Sequence, residues 1–257
     1  MRILTGTIDK VRLSLVVDKN RLAGVYAQAD DGRPWTGDVY GASVLRYGTA
    51  QRAFFVDLGS GHQGFLPHVD KHAFSPGTKL AVRVERAATP AKHIRCSLSD
   101  ETAASVGLIT RGPDVVALAQ SDFPQAASGE GFDDYASLVD ELLQPEVTVQ
   151  EGVTLVIEET AALIAIDVNN ASDLTPLNVN LAAASEVMRQ IRLRNLGGQM
   201  VVDFLRLRDS GQRRQLEDRL YELVEGQGID LYGFTKLGLF ELVRRRNGLS
   251  LGRVFQL

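Results

Sequence analysis

Two apolar runs in the carboxyl half of this chain each end on an acid. "ALIAIDVNNAS" spans residues 162–172 and "GGQMVVDFL" spans residues 197–205. Both are short and rich in branched residues, as buried strands are. Successive residues of a strand face opposite ways, so Asp167 and Asn169 share one face. Neighbouring strands of one polarity end at the same sheet edge, where ligands collect in α/β folds. Asp167 and Asp203 at one such edge suit a hard cation such as Mg²⁺, which takes a few carboxylate oxygens and keeps several waters. Asn169 would then orient an aspartate or a bound water. An Asp at a strand end also serves as a turn cap, and the pattern alone leaves both readings open.

The surrounding segments divide the chain. Residues 1–34 read as a small β-meander in which "RLSLVV" and "RLAGVYAQ" flank "DKN", closed by the breaker "DDGRP". Residues 35–100 read as an all-β unit with strand candidates "DVYGASVLRYG", "RAFFVDLG", "QGFLPH", "KLAVRVERA" and "HIRCSLS". Five short strands so punctuated suggest an OB-fold barrel, a scaffold that binds single-stranded nucleic acid. Residues 101–132 are rich in Gly, Ser, Ala and Pro and read as a linker with room for one short helix.

From 133 to 257 the pattern is α/β. "DDYASLVDELL" is an amphipathic helix with Asp133 or Asp134 as its cap. "TLVIEE" and "ALIAIDVN" pair as an antiparallel hairpin. "NLAAASEVMRQIRLRN" is a helix stopped by "LGG", and "GQRRQLEDRLYELVEG" is a charged helix with residues 216, 220, 223 and 224 on its apolar face. "IDLYGFTKLGLFELVRRR" supplies a last strand and a closing helix. The expected fold class is α+β, a barrel followed by an α/β domain with a mixed sheet.

Composition narrows the function. The net charge of −4 excludes a globally basic nucleic-acid binder, so RNA or DNA contact needs a local patch. Arg192 and Arg194, Arg206 and Arg208, Arg213 and Arg214, and Arg244 to Arg246 are the candidates, with Glu217, Asp218 and Glu222 as competing partners on a helix surface. The single cysteine, Cys96, forms no internal disulfide and no multi-cysteine zinc site. That usage fits a reducing cytoplasm. The first residues, "MRILTGTIDK", do not read as a signal peptide. No apolar run is long enough for a membrane span.

The carboxyl half resembles the ribonuclease E/G family. The segments that carry the resemblance are "LVIEETAALIAIDVN", "NVNLAAASEVMRQIRLRNLGGQMVVDFLRL", "RRQLEDRLYELV" and "FTKLGLFELVRRR", together most of residues 145–257. "GDVYGASVLRYGTAQRAFFVDLGSGHQGFLP" is similar to the family's OB-fold RNA-binding domain, and the opening meander to its amino-terminal strands. The resemblance implies a Mg²⁺-dependent endoribonuclease, with Mn²⁺ as a substitute, that cuts single-stranded RNA and leaves 5′-phosphate ends. It implies that residues 133–257 form a DNase I-like catalytic subdomain on which the meander packs.

By the same resemblance Asp167, Asn169 and Asp203 are catalytic, with the two aspartates as metal ligands. Phe55 and Phe65 fall where the family's barrel aromatics meet bases. Phe54 and Phe55 must face opposite ways, which leaves one of them less buried. Lys92 matches a basic loop position. Arg111 in "GLITRGPD" falls on the arginine of a 5′-monophosphate pocket, although Gly112 stands where the family has a hydroxyl residue.

The expected member is a shortened one, with the barrel and catalytic subdomain but without most of the 5′-sensor or the cysteine-rich zinc link, hence no zinc-linked dimer. The rival readings are a non-catalytic RNA-binding protein that retains the fold and an OB-fold adaptor whose second half is only structural.

Overall fold

The structure, a computed structural model, describes residues 1–88, 93–246 and 248–256. In chain order the elements are β1 (Arg2–Ile8), β2 (Val11–Asp18), β3 (Arg21–Ala29), β4 (Val39–Gly48), β5 (Ala53–Gly59), β6 (His62–Pro67), β7 (Lys79–Arg86), β8 (Ile94–Leu98) and β9 (Gly107–Thr110). They continue as α1 (Val115–Asp122), β10 (Ala127–Ser128), α2 (Asp133–Leu143), β11 (Glu146–Gln150), β12 (Val153–Glu159) and β13 (Ile164–Asn170). The last are α3 (Pro176–Leu193), β14 (Gly198–Asp203), α4 (Ser210–Val224), β15 (Ile229–Phe234), β16 (Phe240–Arg244) and α5 (Leu251–Phe255). Two compact units result, one of residues 30–118 and one that joins 1–29 to 119–257.

The first unit is a closed barrel. β4 pairs with β5, β5 with β6, β6 with β8 in parallel, β8 with β7, and β7 returns to β4. Its core holds Tyr40, Val44, Phe54, Val56, Leu58, Leu66, Val82, Val84, Ile94 and Cys96. The five strand candidates of the sequence are the five barrel strands. β9 adds a short antiparallel partner to the start of β4, so the unit runs past residue 100. That pairing also explains Gly41 at the start of β4, where any Cβ would run into the Ser105 carbonyl oxygen.

In the second unit β1, β2 and β3 form a meander with β10 in parallel on the outer side of β1. Both hairpin turns carry two successive positive φ values, Asp9 and Lys10, then Lys19 and Asn20. Such turns follow the right-handed twist of a hairpin. The inward face of the meander, with Leu4, Leu13, Leu15 and Val17, packs with Val139 and Leu142 of α2 and with Leu251 and Val254 of α5.

The rest of this unit is a six-stranded mixed sheet in the order β11-β12-β13-β14-β16-β15. Its core face, with Leu155, Ile166, Met200, Val202 and Leu242, meets Val179, Ala183, Val187 and Ile191 of α3 and Leu216 and Leu220 of α4. β13, α3 and β14 form a β-α-β crossover, the connection that parallel strands need. Thr175 caps α3 by accepting a hydrogen bond from Asn178 N at 3.4 Å, with Pro176 in the first turn. Beyond the helix Asn195 takes the left-handed conformation at φ 48°, and Gly198, at φ 109°, opens β14.

Three expectations change. "FELVR" is the strand β16, antiparallel to both β14 and β15, and not a closing helix. Its alternation of buried Phe240 and Leu242 with exposed Glu241 has period two, so it suits a sheet with one covered face. Helix α2 starts on Phe132 with no side-chain cap, and Asp133 and Asp134 lie in its first turn, where they favour the positive end of the helix dipole. The stretch 101–132 holds β9, α1 and β10, more structure than a linker with one short helix.

Candidate active site at the strand tips

The parallel pairing of β13 on β14 sets Asp167 directly opposite Asp203, with Ile166 opposite Val202 one step back. Parallel neighbours are about 5 Å apart, so the two carboxylates stand side by side. Both point away from the core face, and both are exposed. Asn169, two residues along the same face, donates from Nδ2 to Asp167 Oδ2 at 3.0 Å. That bond fixes one oxygen and leaves the other to face outward.

Beyond the tips the chain forms a groove of about 540 Å³. Asp167 and Asp203 lie along it with Arg206, Arg213, Phe234 and Lys236. Two elements hold its walls. The first is the segment after β14, where buried Asn180 of α3 donates to the Leu205 carbonyl at 2.8 Å and accepts from the Leu205 amide at 3.0 Å. This two-way clamp sets the path of the chain just past Asp203. Arg213 adds a bond to the Leu207 carbonyl at 3.3 Å, with its guanidinium 5.8 Å from the Phe234 ring centre. The second is the β15–β16 turn, tied by Thr235 N to the Leu239 carbonyl at 2.8 Å.

Chemically the groove sets two carboxylates against guanidinium and ammonium groups. Arg206 and Lys236 have no hydrogen bond or ion pair among the described residues. Oxygen donors, exposure and adjacency are what a Mg²⁺ ion shared with a phosphate needs. Among the described residues no group of three or more His, Cys, Asp or Glu side chains is placed to hold a metal. Asp167 and Asp203 are the two carboxylates of the groove that could hold such an ion.

The other basic pairs do not join this groove as one patch. Arg194 is buried, donates from Nε to Gln190 Oε1 at 2.7 Å, and is pulled down to about 10 by burial, against the attraction of Glu159 and Glu186. Arg244 donates to Asn195 Oδ1 and the Leu196 carbonyl, and burial lowers its pKa too. Arg246 donates to the Gly197 carbonyl at 3.0 Å. Arg244 and Arg246 tie β16 and the residues just past it to the segment that follows α3, while Arg194 stays on α3. Arg214 lies 4.0 Å from Asp218 on α4.

In the barrel Phe54 belongs to the core and Phe55 faces the other way. Phe55 is nevertheless only 5% exposed. Phe65 and His93 meet its ring edge-on at 5.8 and 5.7 Å, and the Arg46 guanidinium lies 4.1 Å from its centre. The expected difference in burial between Phe54 and Phe55 is therefore absent, because neighbours on the outer face cover Phe55. Phe65 is half-buried and is the more accessible ring of the pair. Lys92 lies outside the described residues.

Arg111 donates to the fully buried Asp38 at 2.9 Å and lies 4.7 Å from the Trp35 ring centre. Asp38 also accepts from the Trp35 and Gly112 amides, both at 2.8 Å. A protein carboxylate thus takes up Arg111 Nη1 and the neighbouring amides that the 5′-monophosphate expectation needs.

Period-two reasoning reached Asp167, Asn169 and Asp203. It did not single out Asn180, whose position inside an apolar helix face is its only sequence signal, or Lys236, which lies where the last strand and the expected closing helix meet.

The tips of β13 and β14 thus bring paired carboxylates and basic side chains into one groove. The ribonuclease E/G family profile matches residues 130–247. That match lies in the carboxyl half of the chain, and residues 1–129 fall outside it. Ribonuclease E of Haemophilus influenzae is 38% identical over 125 residues, which cover 45% of this chain and 13% of that protein. Ribonuclease E of Escherichia coli is also 38% identical over 125 residues, or 12% of its length. Ribonuclease G of Salmonella typhimurium is 30% identical over 130 residues, 47% of this chain and 27% of that protein. The matched segment thus spans only about an eighth of these ribonuclease E sequences and about a quarter of the ribonuclease G.

Proposed function

We propose that this chain is a Mg²⁺-dependent endoribonuclease that hydrolyses phosphodiester bonds in single-stranded RNA and leaves 5′-phosphate ends. The observation that carries the reading is the register of β13 on β14, which sets Asp167 opposite Asp203 over the groove. The names of the similar proteins, ribonucleases E and G, support the reaction class.

Asp167 and Asp203 would hold the Mg²⁺, with Mn²⁺ as a substitute, and Asn169 would keep Asp167 turned outward through its amide bond. Such an ion, when bound, lowers the pKa of a coordinated water and polarises a phosphate oxygen. Arg206 and Lys236 draw the phosphate backbone to the carboxylates and offset its charge as the bond breaks. The half-buried Phe65 is the barrel ring best placed to stack on a base, with Phe55 as its support. No helix among the described residues is long and apolar enough to cross a membrane. A cytoplasmic location goes with this reading, since the free, buried Cys96 suits a reducing compartment.

The test is cleavage of a short, end-labelled single-stranded RNA by the wild type and Asp203→Asn, with Mg²⁺ and with chelator, and RNA binding measured alongside. Cutting by the wild type with Mg²⁺ alone is the expected result. Equal binding by both proteins without cutting would replace the enzyme with an RNA-binding protein that retains the fold.

A further inference from the structure

The β15–β16 turn has two properties that its place in the sheet does not require. It is stiff, and it holds a large apolar side chain out in solvent. Thr235 Oγ1 accepts from the amides of Leu237 and Leu239 at 3.2 and 3.1 Å. The Gly238 amide donates to the Thr235 carbonyl at 3.0 Å, and Gly238 sits at φ 97°, where a side chain would be strained. Leu237 is 90% exposed, more than any other large hydrophobic residue among those described. Its neighbour Lys236 has no hydrogen bond or ion pair among the described residues, and both line the groove of Asp167 and Asp203.

An ammonium group and an apolar side chain on consecutive residues of a fixed turn match the two chemistries of a nucleotide. The ammonium meets the phosphate, and the apolar surface meets the face of an unstacked base. We propose that the turn Thr235–Leu239 grips the nucleotide beside the cut, with Lys236 on its phosphate and Leu237 against its base. This rests on the endoribonuclease reading of the same groove. It gives a local reason for single-strand selectivity, because a base inside a duplex has both faces covered by its neighbours. Charge favours this occupant, since Arg206 and Lys236 line the path that a phosphate backbone would follow to the carboxylates. The turn's own hydrogen bonds fix the backbone that carries Leu237 before RNA arrives, so binding has only its side chain to order.

The experiment compares the wild type, Leu237→Ala, Lys236→Met and Asp203→Asn on a short single-stranded RNA and on the same RNA with an abasic residue next to the cut. Steady-state cleavage is measured with Mg²⁺ and binding by anisotropy in chelator. Leu237→Ala should raise KM about five-fold and leave kcat within about two-fold, as loss of one apolar base contact would. The abasic RNA should cost the wild type a similar factor and cost Leu237→Ala nothing more, as a shared contact requires. Lys236→Met should lower affinity for both RNAs alike and reduce the salt dependence of binding by about one phosphate contact. If Leu237→Ala and the wild type behave alike on both RNAs while Asp203→Asn alone is inactive, the proposal falls and the nuclease reading stands. A wild type that neither cuts nor binds either RNA ends both.

Discussion

Asp203 and Phe55 hold comparable places in their strands, each turned away from a hydrophobic core by the alternation of the pleat. One opens onto a groove, and the other is 5% exposed. The difference lies in what the rest of the unit brings to that face. At the tips of β13 and β14 the chain turns away on both sides, and the clamp from Asn180 holds the departing segment along one wall. On the outer face of the barrel, Arg46, Phe65 and His93 close over Phe55. Strand alternation reports which way a side chain points. Exposure depends on neighbours from distant parts of the sequence.

Several substitutions break or sharpen that contrast. The largest effect is expected from Asp167→Asn or Asp203→Asn, each lowering cleavage at least about 100-fold while the melting temperature stays near that of the wild type. A large stability loss with either variant would make the carboxylates structural, like Phe55. Phe55→Ala should destabilise the barrel by about 3 kcal/mol in denaturant titration, because a covered ring leaves a cavity. Phe65→Ala should instead act mainly on RNA affinity, lowering it about ten-fold. If the two effects are exchanged, the assignment of support and platform is reversed.

Asn180→Ala leaves the Leu205 amide and carbonyl without their partner and should cost about 2–3 kcal/mol. It should lower cleavage as well, because the chain past Asp203 loses its anchor. Asn169→Ala should leave stability unchanged and cut activity about ten-fold, as loss of a bond that orients a metal-binding carboxylate does.

A further effect concerns pH and the barrel alone. Burial first, and the charge of Glu85 second, push the Cys96 thiol up to about 12 from an ordinary value near 9. Burial, with the charge of Asp38, raises Tyr40 as well. A folded-state value above the unfolded one means the contribution is fully present below pH 9 and is lost as the pH rises toward 12. Barrel stability followed by denaturant titration should therefore fall across that window, and Cys96→Ala should flatten part of the slope.

Much of this molecule was legible in its residues. The five barrel strands, the β12–β13 hairpin and the helices α3 and α4 follow from apolar periodicity and from the turn and cap residues between them. β16 was not legible as a strand, because "FELVRRR" is short and its charged end resembles a helix terminus. Its pairing with β14 decides the matter. Arg111 reads as a free phosphate ligand, because its partner Asp38 lies far back in the sequence and meets it only once β9 has joined β4.

The sequence by itself determined that Asp167 and Asn169 share a face and that Asp203 ends a second apolar strand, since a period of two is a property of the extended backbone. It also determined that a helix from "NLAAAS" would stop at the "LGG" before β14, since glycines act locally, whereas the start of α3 at Pro176 came from the structure. Only the tertiary structure decided that Asp167 stands opposite Asp203 and not a residue away. Parallel register is set by the length and packing of the α3 crossover, and a slip of one residue would have turned one carboxylate into the core. The tertiary structure likewise decided that Lys236 and Leu237 reach the same groove, because the β15–β16 hairpin meets the carboxylates only through the order of strands in the sheet.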